Sequence, residues 1–372
     1  HNSLLHASLS ISGFDLNVLI PIQYKRLDPL RGDVLNPIRL DQSVKIELLQ
    51  PLVIVEDNKS SIPIRIVSKN ITDKLDIVLI QADKKTIWGH IQPNSNNWDT
   101  TINIPVKKED IVSDNVQVAI EYTDKEGYKS IFNATTNVLK YDHIPETQYQ
   151  VPATQKVVVK DWTTNVKNIG YIQGADDLVD DVLKSLSFNV VNLTKTDFQN
   201  KKYIQSFDAI VVGIRAYNVN EDIVAIQPLL MQYIENGGTV IVQYNTDRTL
   251  KINQLGPYPF SVSRSRITQE DAPTTILNAQ HRLLNYPNKI NKSDWDNWVQ
   301  ERGLYYPNNW DNQYTTLISH QEFDEKKLES GILYTTYGKG HYIYTPLAFF
   351  RQLPAGNAGA IKLFINLLSV GK

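Results

Sequence analysis

The sequence contains no cysteine, and this absence excludes three kinds of chemistry. A chain without cysteine forms no disulfides, no thiolate metal sites and no cysteine nucleophile. Histidine is also scarce, with seven residues, and none of them belongs to an HExxH run, a His-Pro-Asp-Asp run or a closely spaced pair on a predicted helix. We therefore expect neither a metal site nor a cofactor within these residues.

Other absences exclude further classes of partner and enzyme. The formal net charge is -2, so the chain lacks the basic character typical of nucleic-acid binding. No apolar run approaches the ~20 residues of a membrane-spanning helix. The sequence contains neither the G-x-S-x-G motif of serine hydrolases nor a glycine-rich phosphate loop. We expect no nucleic-acid partner, no membrane insertion and no standard serine nucleophile.

The first part of the chain has the pattern of β-structure. Apolar and polar residues alternate in short segments, for example at Ile62, Ile64 and Ile66, as in strands with one buried face. Residues 1–39 are interpreted as the closing strands of a preceding β domain, and residues 40–142 as an immunoglobulin-like β-sandwich. The predicted strands are residues 3–12, 16–24, 44–49, 61–67, 76–81, 100–105, 116–122 and 130–139.

The second part alternates strands with helices. Residues 143–165 are predicted to be a linker with one short strand at 156–159, and residues 166–372 to be a doubly wound parallel sheet. A long insertion at 246–313 carries three of the six tryptophans, which favours an ordered segment. The predicted strands are 169–172, 188–193, 207–214, 239–242, 315–319, 331–337 and 341–346, and the predicted helices are 175–186, 220–236 and 358–368.

Polar side chains follow two apolar strands of this sheet at the point where each strand ends. Arg215, Tyr217 and Asn218 follow the first strand, and Tyr244 and Asn245 follow the second. Ligands of open α/β sheets bind outside the carboxyl ends of the strands, so we predict a site here. Guanidinium groups of arginine, beside amide and phenol groups, can bind a carboxylate or a sugar through directional hydrogen bonds.

Four more residues complete the set of candidates. Arg351 follows the last predicted strand, whereas Trp298, Glu301 and Arg302 lie in the insertion. A carboxyl group in aromatic surroundings tends toward a raised pKa, which makes Glu301 the candidate acid or base if the chain is catalytic. The alternative is structural: the arginines pair with Glu270, Asp271 or Glu301 of the insertion and hold it in place.

Several long segments carry a family resemblance. FDAIVVGIRAYN, ENGGTVIVQYNT, LGPYPFSVSRSRITQEDAP, WVQERGLYYP and YTPLAFFRQLPAG resemble the C-terminal region of large PIG-L/LmbE-type deacetylases of Bacteroidetes-like bacteria. YKRLDPLRGDVLNPI resembles the sandwich region before it. In that family an N-terminal zinc domain carries a His-Pro-Asp-Asp motif, which is absent here. The resemblance implies an accessory region, a partner deacetylase domain outside these residues, and a periplasmic or secreted location.

A second resemblance concerns the C-terminal half alone. The glycine pair at 237–238, the strand after it and the strand end at 243–245 resemble the site region of class I glutamine amidotransferase-like proteins, in particular ThuA-like proteins implicated in sugar metabolism. The resemblance implies a flavodoxin-like sheet. Tyr244 and Asn245 stand where that family has Cys or His, and Phe349 stands where it has a late His. This implies a catalytically silent or repurposed version.

Three functions are compatible with these observations. The first is a non-catalytic accessory region that binds a glycan or a partner for a PIG-L-like N-acetyl-sugar deacetylase. The second is a ThuA-like hydrolase of a sugar-related substrate, with Glu301 as base and Arg215 or Arg351 on the substrate. The third is a structural scaffold. The chain opens HNSLLHAS without an initiator Met, and we interpret it as a processed fragment of a longer protein.

Overall fold

The computed structural model describes residues 4–38, 41–56, 60–141, 144 and 146–372. Its first part consists of two antiparallel hairpins, each a two-stranded sheet. In the first hairpin Leu5 lies opposite Ile20 and Leu9 lies opposite Leu16, so one face of the hairpin is apolar. The side chains on this face are largely exposed. The four strands are β1 (Leu4–Ile11), β2 (Phe14–Pro21), β3 (Gln23–Asp28) and β4 (Gly32–Pro37).

The second part is a β-sandwich. One sheet has the strand order β10-β7-β5, the other has β6-β15-β11-β8-β9 with β12 beside β11, and β13 and β14 form a hairpin. Alternate residues of both sheets, such as Ile64 and Val118, share one core. The strands are β5 (Val44–Leu48), β6 (Val53–Val55), β7 (Ser60–Lys69), β8 (Leu75–Gln81), β9 (Lys84–Ile91), β10 (Asn97–Val106), β11 (Asn115–Thr123), β12 (Lys129–Phe132), β13 (Ala134–Leu139), β14 (Thr147–Pro152) and β15 (Thr154–Val159).

The segment predicted as a linker differs from the structure. It contains β14, which pairs with β13, and β15, which pairs with β11 and in parallel with β6. Val157 of β15 is buried in the sandwich core, so the sandwich continues to Val159. The strand predicted at 130–139 divides at Asn133, whose carbonyl accepts a hydrogen bond from the Ala153 amide. The predicted domain boundaries at 39–40 and 142–143 lie outside the described residues.

The C-terminal part is an α/β domain around a seven-stranded sheet of order β17-β16-β18-β19-β26-β25-β23. Neighbouring strands from β17 to β26 pair in parallel. Strand β25 pairs antiparallel with both of its neighbours, β26 and β23. The helices are α1 (Val179–Ser185), α2 (Lys201–Ile204), α3 (Ala216–Val219), α4 (Ile223–Glu235), α5 (Phe349–Gln352) and α6 (Ala358–Ser369). The strands are β16 (Asn168–Ile172), β17 (Asn189–Asn192), β18 (Ala209–Val212), β19 (Thr239–Val242), β20 (Ser261–Val262), β21 (Thr274–Ile276), β22 (Pro307–Asn308), β23 (Thr315–Thr316), β24 (Ile318–His320), β25 (Leu333–Tyr337) and β26 (Gly340–Tyr344).

The central strands of this sheet are buried on both faces. Val211 and Ile241 belong to one core, which includes residues of α1 and α6, whereas Ile210 and Val240 belong to the other, which includes residues of α4. Helices therefore cover both faces, and the predicted combination of a β part with an α/β part is confirmed. Among the described residues, no helix has the length and apolar character needed to cross a membrane.

One helix of the α/β domain begins later than the sequence predicts. The helix predicted from residue 175 begins only at Val179, because the residues before it form a turn around Asp177. The carboxylate of Asp177 accepts hydrogen bonds from the Val179 amide (2.9 Å) and the Tyr171 hydroxyl (3.0 Å). The insertion at 246–313 contains β20, β21, β22 and two short 3-10 helices, so it has regular structure of its own.

Candidate functional site

A cavity of about 440 Å³ opens at the carboxyl ends of β18 and β19. One of its residues follows β18, four follow β19 at the start of the insertion, and two come from farther along the insertion. This is the edge at which parallel sheets bind ligands. The cavity is lined by Arg215, Thr246, Asp247, Arg248, Thr249, Arg264 and Tyr305.

Arg215 is the predicted candidate that lines this cavity, and its backbone is fixed. The residue has a φ of 56°, in the left-handed region that residues other than glycine rarely adopt. Its amide donates to the carbonyl of Tyr244 (2.8 Å), and its own carbonyl accepts from the amides of Asn218 (2.8 Å) and Val219 (3.0 Å). The Nε atom is buried without a hydrogen-bond partner among the described residues. Arg215, which lines the cavity, therefore has a guanidinium N–H without a hydrogen-bond acceptor among the described residues.

Asn218 and Asn245, both predicted as ligand-binding residues, instead shape the loop that follows β19. The side-chain amide of Asn218 donates to the carbonyls of Arg248 (2.8 Å) and Thr246 (3.2 Å), and its oxygen accepts from the Thr246 amide (3.0 Å). The side-chain oxygen of Asn245 accepts from the amide of Tyr217 (2.9 Å). Both asparagines are buried. They tie the loop after β19 to the segment after β18, and so position Arg248 relative to Arg215.

The charges around the cavity are unbalanced. Arg264 Nε lies 2.6 Å from the carboxylate of Asp247, which makes an ion pair. Among the described residues, neither Arg215 nor Arg248 has a carboxylate within ion-pair distance. Three arginines and one aspartate thus leave two positive charges without compensation by the residues that line the cavity.

Tyr244 supports one wall of the cavity. Its ring stacks on that of Tyr305, with ring centres 6.1 Å apart and planes 6° from parallel, and it also packs against Phe350. Burial raises the pKa of Tyr244, while the positive charges of Arg215 and Arg351 oppose that shift. Its phenol therefore stays protonated at neutral pH. Tyr305 has a φ of 55° and Thr249 has a φ of 59°, so two further lining residues adopt a left-handed conformation.

Arg351 and Glu301 form an ion pair, which is the structural role considered for them from the sequence. Arg351 Nε donates to the Glu301 carboxylate at 2.6 Å. The Glu301 side chain is only 12% exposed, whereas that of Arg351 is 35% exposed. The pair joins the insertion to helix α5. Neither residue is among those that line the cavity.

Arg302, Trp298 and Tyr217 lie in the protein interior and are likewise not among the lining residues. The Arg302 guanidinium donates to the backbone carbonyls of Trp295 and Ala272 and packs over the ring of Trp298. Burial lowers the pKa of Arg302. The Trp298 side chain donates to the Asp294 carbonyl, so Arg302 and Trp298 stabilise the insertion internally. The Tyr217 hydroxyl donates to the Gln227 side chain of α4 and to the Leu255 carbonyl of the insertion.

Most of the residues that line the cavity were not predicted from the sequence. Thr246, Asp247, Arg248 and Thr249 follow the candidate Asn245 directly, and their position after a buried strand was an available signal. Arg264 and Tyr305 carried no such signal, because only the folded insertion brings them to the sheet edge. Among the described residues, no group of three or more histidine, aspartate or glutamate side chains is placed to hold a metal ion.

No protein-family model and no curated protein matches this chain. A candidate GMP synthase component from Thermoplasma acidophilum matches over 56% of this chain and 96% of its own, with 9% identity and a TM-score of 0.36. A cytoplasmic protein from Salmonella typhimurium matches over 64% and 96%, with 12% identity and a TM-score of 0.37. A β-galactosidase from Rahnella matches over 53% and 31%, with 12% identity and a TM-score of 0.28. Likenesses this distant carry no argument about function.

Proposed function

We propose that this chain is a non-catalytic accessory region of a PIG-L-like N-acetyl-sugar deacetylase, and that its sheet-edge cavity binds an acidic carbohydrate. The observation that carries the proposal is the pair Arg215 and Arg248. Both line one cavity, and neither has a carboxylate partner among the described residues. Guanidinium groups bind the carboxylates and phosphates of ligands through paired hydrogen bonds. A cavity of about 440 Å³ is within the size range of small-molecule sites.

The arrangement of polar groups favours binding over catalysis. The hydroxyls of Thr246 and Thr249 both donate to the carbonyl of Arg248, so neither is paired with a base. Asp247 is engaged by Arg264, and Glu301 by Arg351. A hydrolase that uses Glu301 as a base is therefore the less favoured alternative, because its carboxylate is held by a guanidinium.

The proposal extends to the fold family of the α/β domain and of the β-sandwich. The order β17-β16-β18-β19-β26 follows the 2-1-3-4-5 arrangement of flavodoxin-like sheets, which supports a class I glutamine amidotransferase-like domain. The two sheets that share one core support an immunoglobulin-like sandwich. We propose an extracytoplasmic location on the family resemblance alone.

We also propose that the apolar face of the β1–β2 hairpin packs against the deacetylase domain. Leu9, Ile11, Phe14 and Leu16 lie on this face and are between 48% and 80% exposed. A two-stranded hairpin is marginally stable in water by itself, and a contiguous exposed apolar face is typical of an interface. Substituting Leu9 and Leu16 with serine should abolish association with that domain and leave cavity binding unchanged.

Calorimetric titration with glucuronate, N-acetylglucosamine and glucose tests the binding proposal. We expect saturable binding of glucuronate and loss of that binding in R215Q and R248Q. R282Q is the matched control, because its guanidinium packs over Tyr286 and does not line the cavity. Equal binding of glucose and glucuronate, or no binding of any acidic sugar by folded protein, would refute the proposal. Turnover that E301Q abolishes would instead establish the hydrolase.

A further inference from the structure

The uncompensated cations of the cavity indicate the charge of a ligand that would fit it. Arg215 and Arg248 are uncompensated, whereas the charge of Arg264 is already matched by Asp247. A ligand with one negative charge would leave one of these guanidinium groups unpaired in the occupied cavity. A ligand group with two negative charges balances both.

The backbones of both arginines are fixed before any ligand arrives. The carbonyl of Arg248 accepts hydrogen bonds from the Asn218 amide (2.8 Å) and from the hydroxyls of Thr246 (3.1 Å) and Thr249 (2.6 Å). The amide and the carbonyl of Arg215 are both hydrogen-bonded to backbone groups. Two guanidinium groups carried on fixed backbones suit a compact tetrahedral oxyanion, because its oxygens can accept hydrogen bonds from both groups at once.

We propose that the cavity binds the phosphate group of a phosphorylated monosaccharide, a dianionic phosphomonoester, in preference to the carboxylate of a uronic acid. This inference rests on the proposed carbohydrate-binding function and specifies its ligand class. Arg215 and Arg248 contact the phosphate oxygens. The rest of the cavity, including Tyr305, Thr246 and Thr249, accommodates the sugar ring and its hydroxyls.

The pH dependence of binding separates a dianion from a monoanion. The second pKa of a phosphomonoester is about 6, so the group carries two charges at pH 7.5 and about one at pH 5. A uronic acid carboxylate keeps its single charge over this range. The ionisable residues that line the cavity are Arg215, Asp247, Arg248, Arg264 and Tyr305, and no histidine is among them.

The experiment is calorimetric titration of the whole chain with glucose 6-phosphate, glucose 6-sulfate, glucuronate, glucose and inorganic phosphate, at pH 7.5 and pH 5. We expect glucose 6-phosphate to bind at least about tenfold more tightly than the two singly charged sugars at pH 7.5, and to lose most of that advantage at pH 5. R215Q and R248Q should each weaken its binding about ten- to hundredfold, and R282Q should not. Thermal unfolding of each variant shows whether its fold is intact.

The outcomes separate this inference from the function on which it rests. Equal affinities for glucose 6-phosphate and glucuronate, both lost in R215Q, would overturn the phosphate preference and leave acidic-sugar binding standing. Binding of inorganic phosphate alone, with no gain from the sugar, would overturn the inference and the carbohydrate proposal together. Glucose 6-phosphate binding that survives in both R215Q and R248Q would place the site elsewhere and overturn the inference.

Discussion

The side-chain amide of Asn218 donates a hydrogen bond of 2.8 Å to the backbone carbonyl of Arg248. This bond connects the segments that follow two neighbouring strands, β18 and β19. Because Asn218 also bonds to the carbonyl and amide of Thr246, one buried side chain determines the conformation of the loop that carries Arg248. The cavity therefore depends on a residue that does not line it.

Substituting Asn218 with alanine should loosen this loop. The variant leaves backbone groups of Thr246 and Arg248 without their partner, which should lower the free energy of unfolding by about 1–3 kcal/mol. Affinity for glucose 6-phosphate should fall while the protein stays folded. Urea unfolding and calorimetry measure the two effects. N189A, which removes an exposed side-chain bond to Asn168, is the control and should change stability by less than about 0.5 kcal/mol. Unchanged ligand affinity in N218A would contradict the positioning role.

The Glu301–Arg351 ion pair should contribute to stability and not to ligand binding. E301Q removes one charge of a partly buried pair, and we expect a loss of about 1–2 kcal/mol in the free energy of unfolding. A double-mutant cycle with R351M isolates the coupling between the two residues. The exposed pair Lys25–Asp33, with side chains 62% and 54% exposed, is the matched control, and D33N should cost less than about 0.5 kcal/mol. A loss of ligand affinity in E301Q with stability unchanged would contradict this assignment.

The strands of the α/β domain were predictable because their physical signals are local. The strand predicted at 239–242 coincides with β19, since four consecutive buried residues followed a glycine pair. The edge at which a ligand site would form also followed from the sequence, because parallel strands present their carboxyl ends on one side. Arg215 could be named on these grounds alone.

The partners of each side chain were not predictable, because they depend on contacts between distant segments. Nothing local distinguishes Arg215, whose Nε is unsatisfied, from Arg302, whose guanidinium is bonded to carbonyls in the interior. Arg264 and Tyr305 reach the cavity only because the insertion folds back over the sheet. The strand at 156–159 was predicted, but as part of a linker, because the pairing of β15 with β6 spans about a hundred residues of sequence.

Gly174 should tolerate no side chain, because a close approach of backbone occupies that position. A Cβ atom placed there would lie 2.0 Å from the Ile214 carbonyl oxygen. G174A should therefore displace the turn after β16 from the turn after β18, with a loss of more than about 3 kcal/mol in the free energy of unfolding or no folded protein. G89A is the control, since nothing lies within 4 Å of the added atom on β9. Wild-type thermal stability in G174A would contradict the packing of these two turns.

Burial of His320 should make stability depend on pH in the acidic range. His320 is almost inaccessible, its Nδ1 lies 3.1 Å from the Tyr306 hydroxyl, and its Nε2 has no partner among the described residues. Burial, aided by the positive charge of Arg302, lowers the pKa of His320 to about 3. The imidazole of an unfolded chain has a pKa of about 6.5.

Between pH 6.5 and pH 3 the unfolded state thus binds a proton at His320 that the folded state does not bind. The free energy of unfolding should fall by up to about 1.4 kcal/mol for each pH unit below 6.5, and this contribution should be constant above that pH. Urea unfolding at pH 7, 6 and 5 measures the slope, which H320Q should reduce. Burial also lowers the pKa values of His281 and His341, so these two residues should supply part of the slope that remains in H320Q. Y306F removes the hydrogen bond and keeps the buried imidazole, so it should retain the wild-type slope. The same slope in H320Q and the wild type would show that His320 does not couple folding to pH.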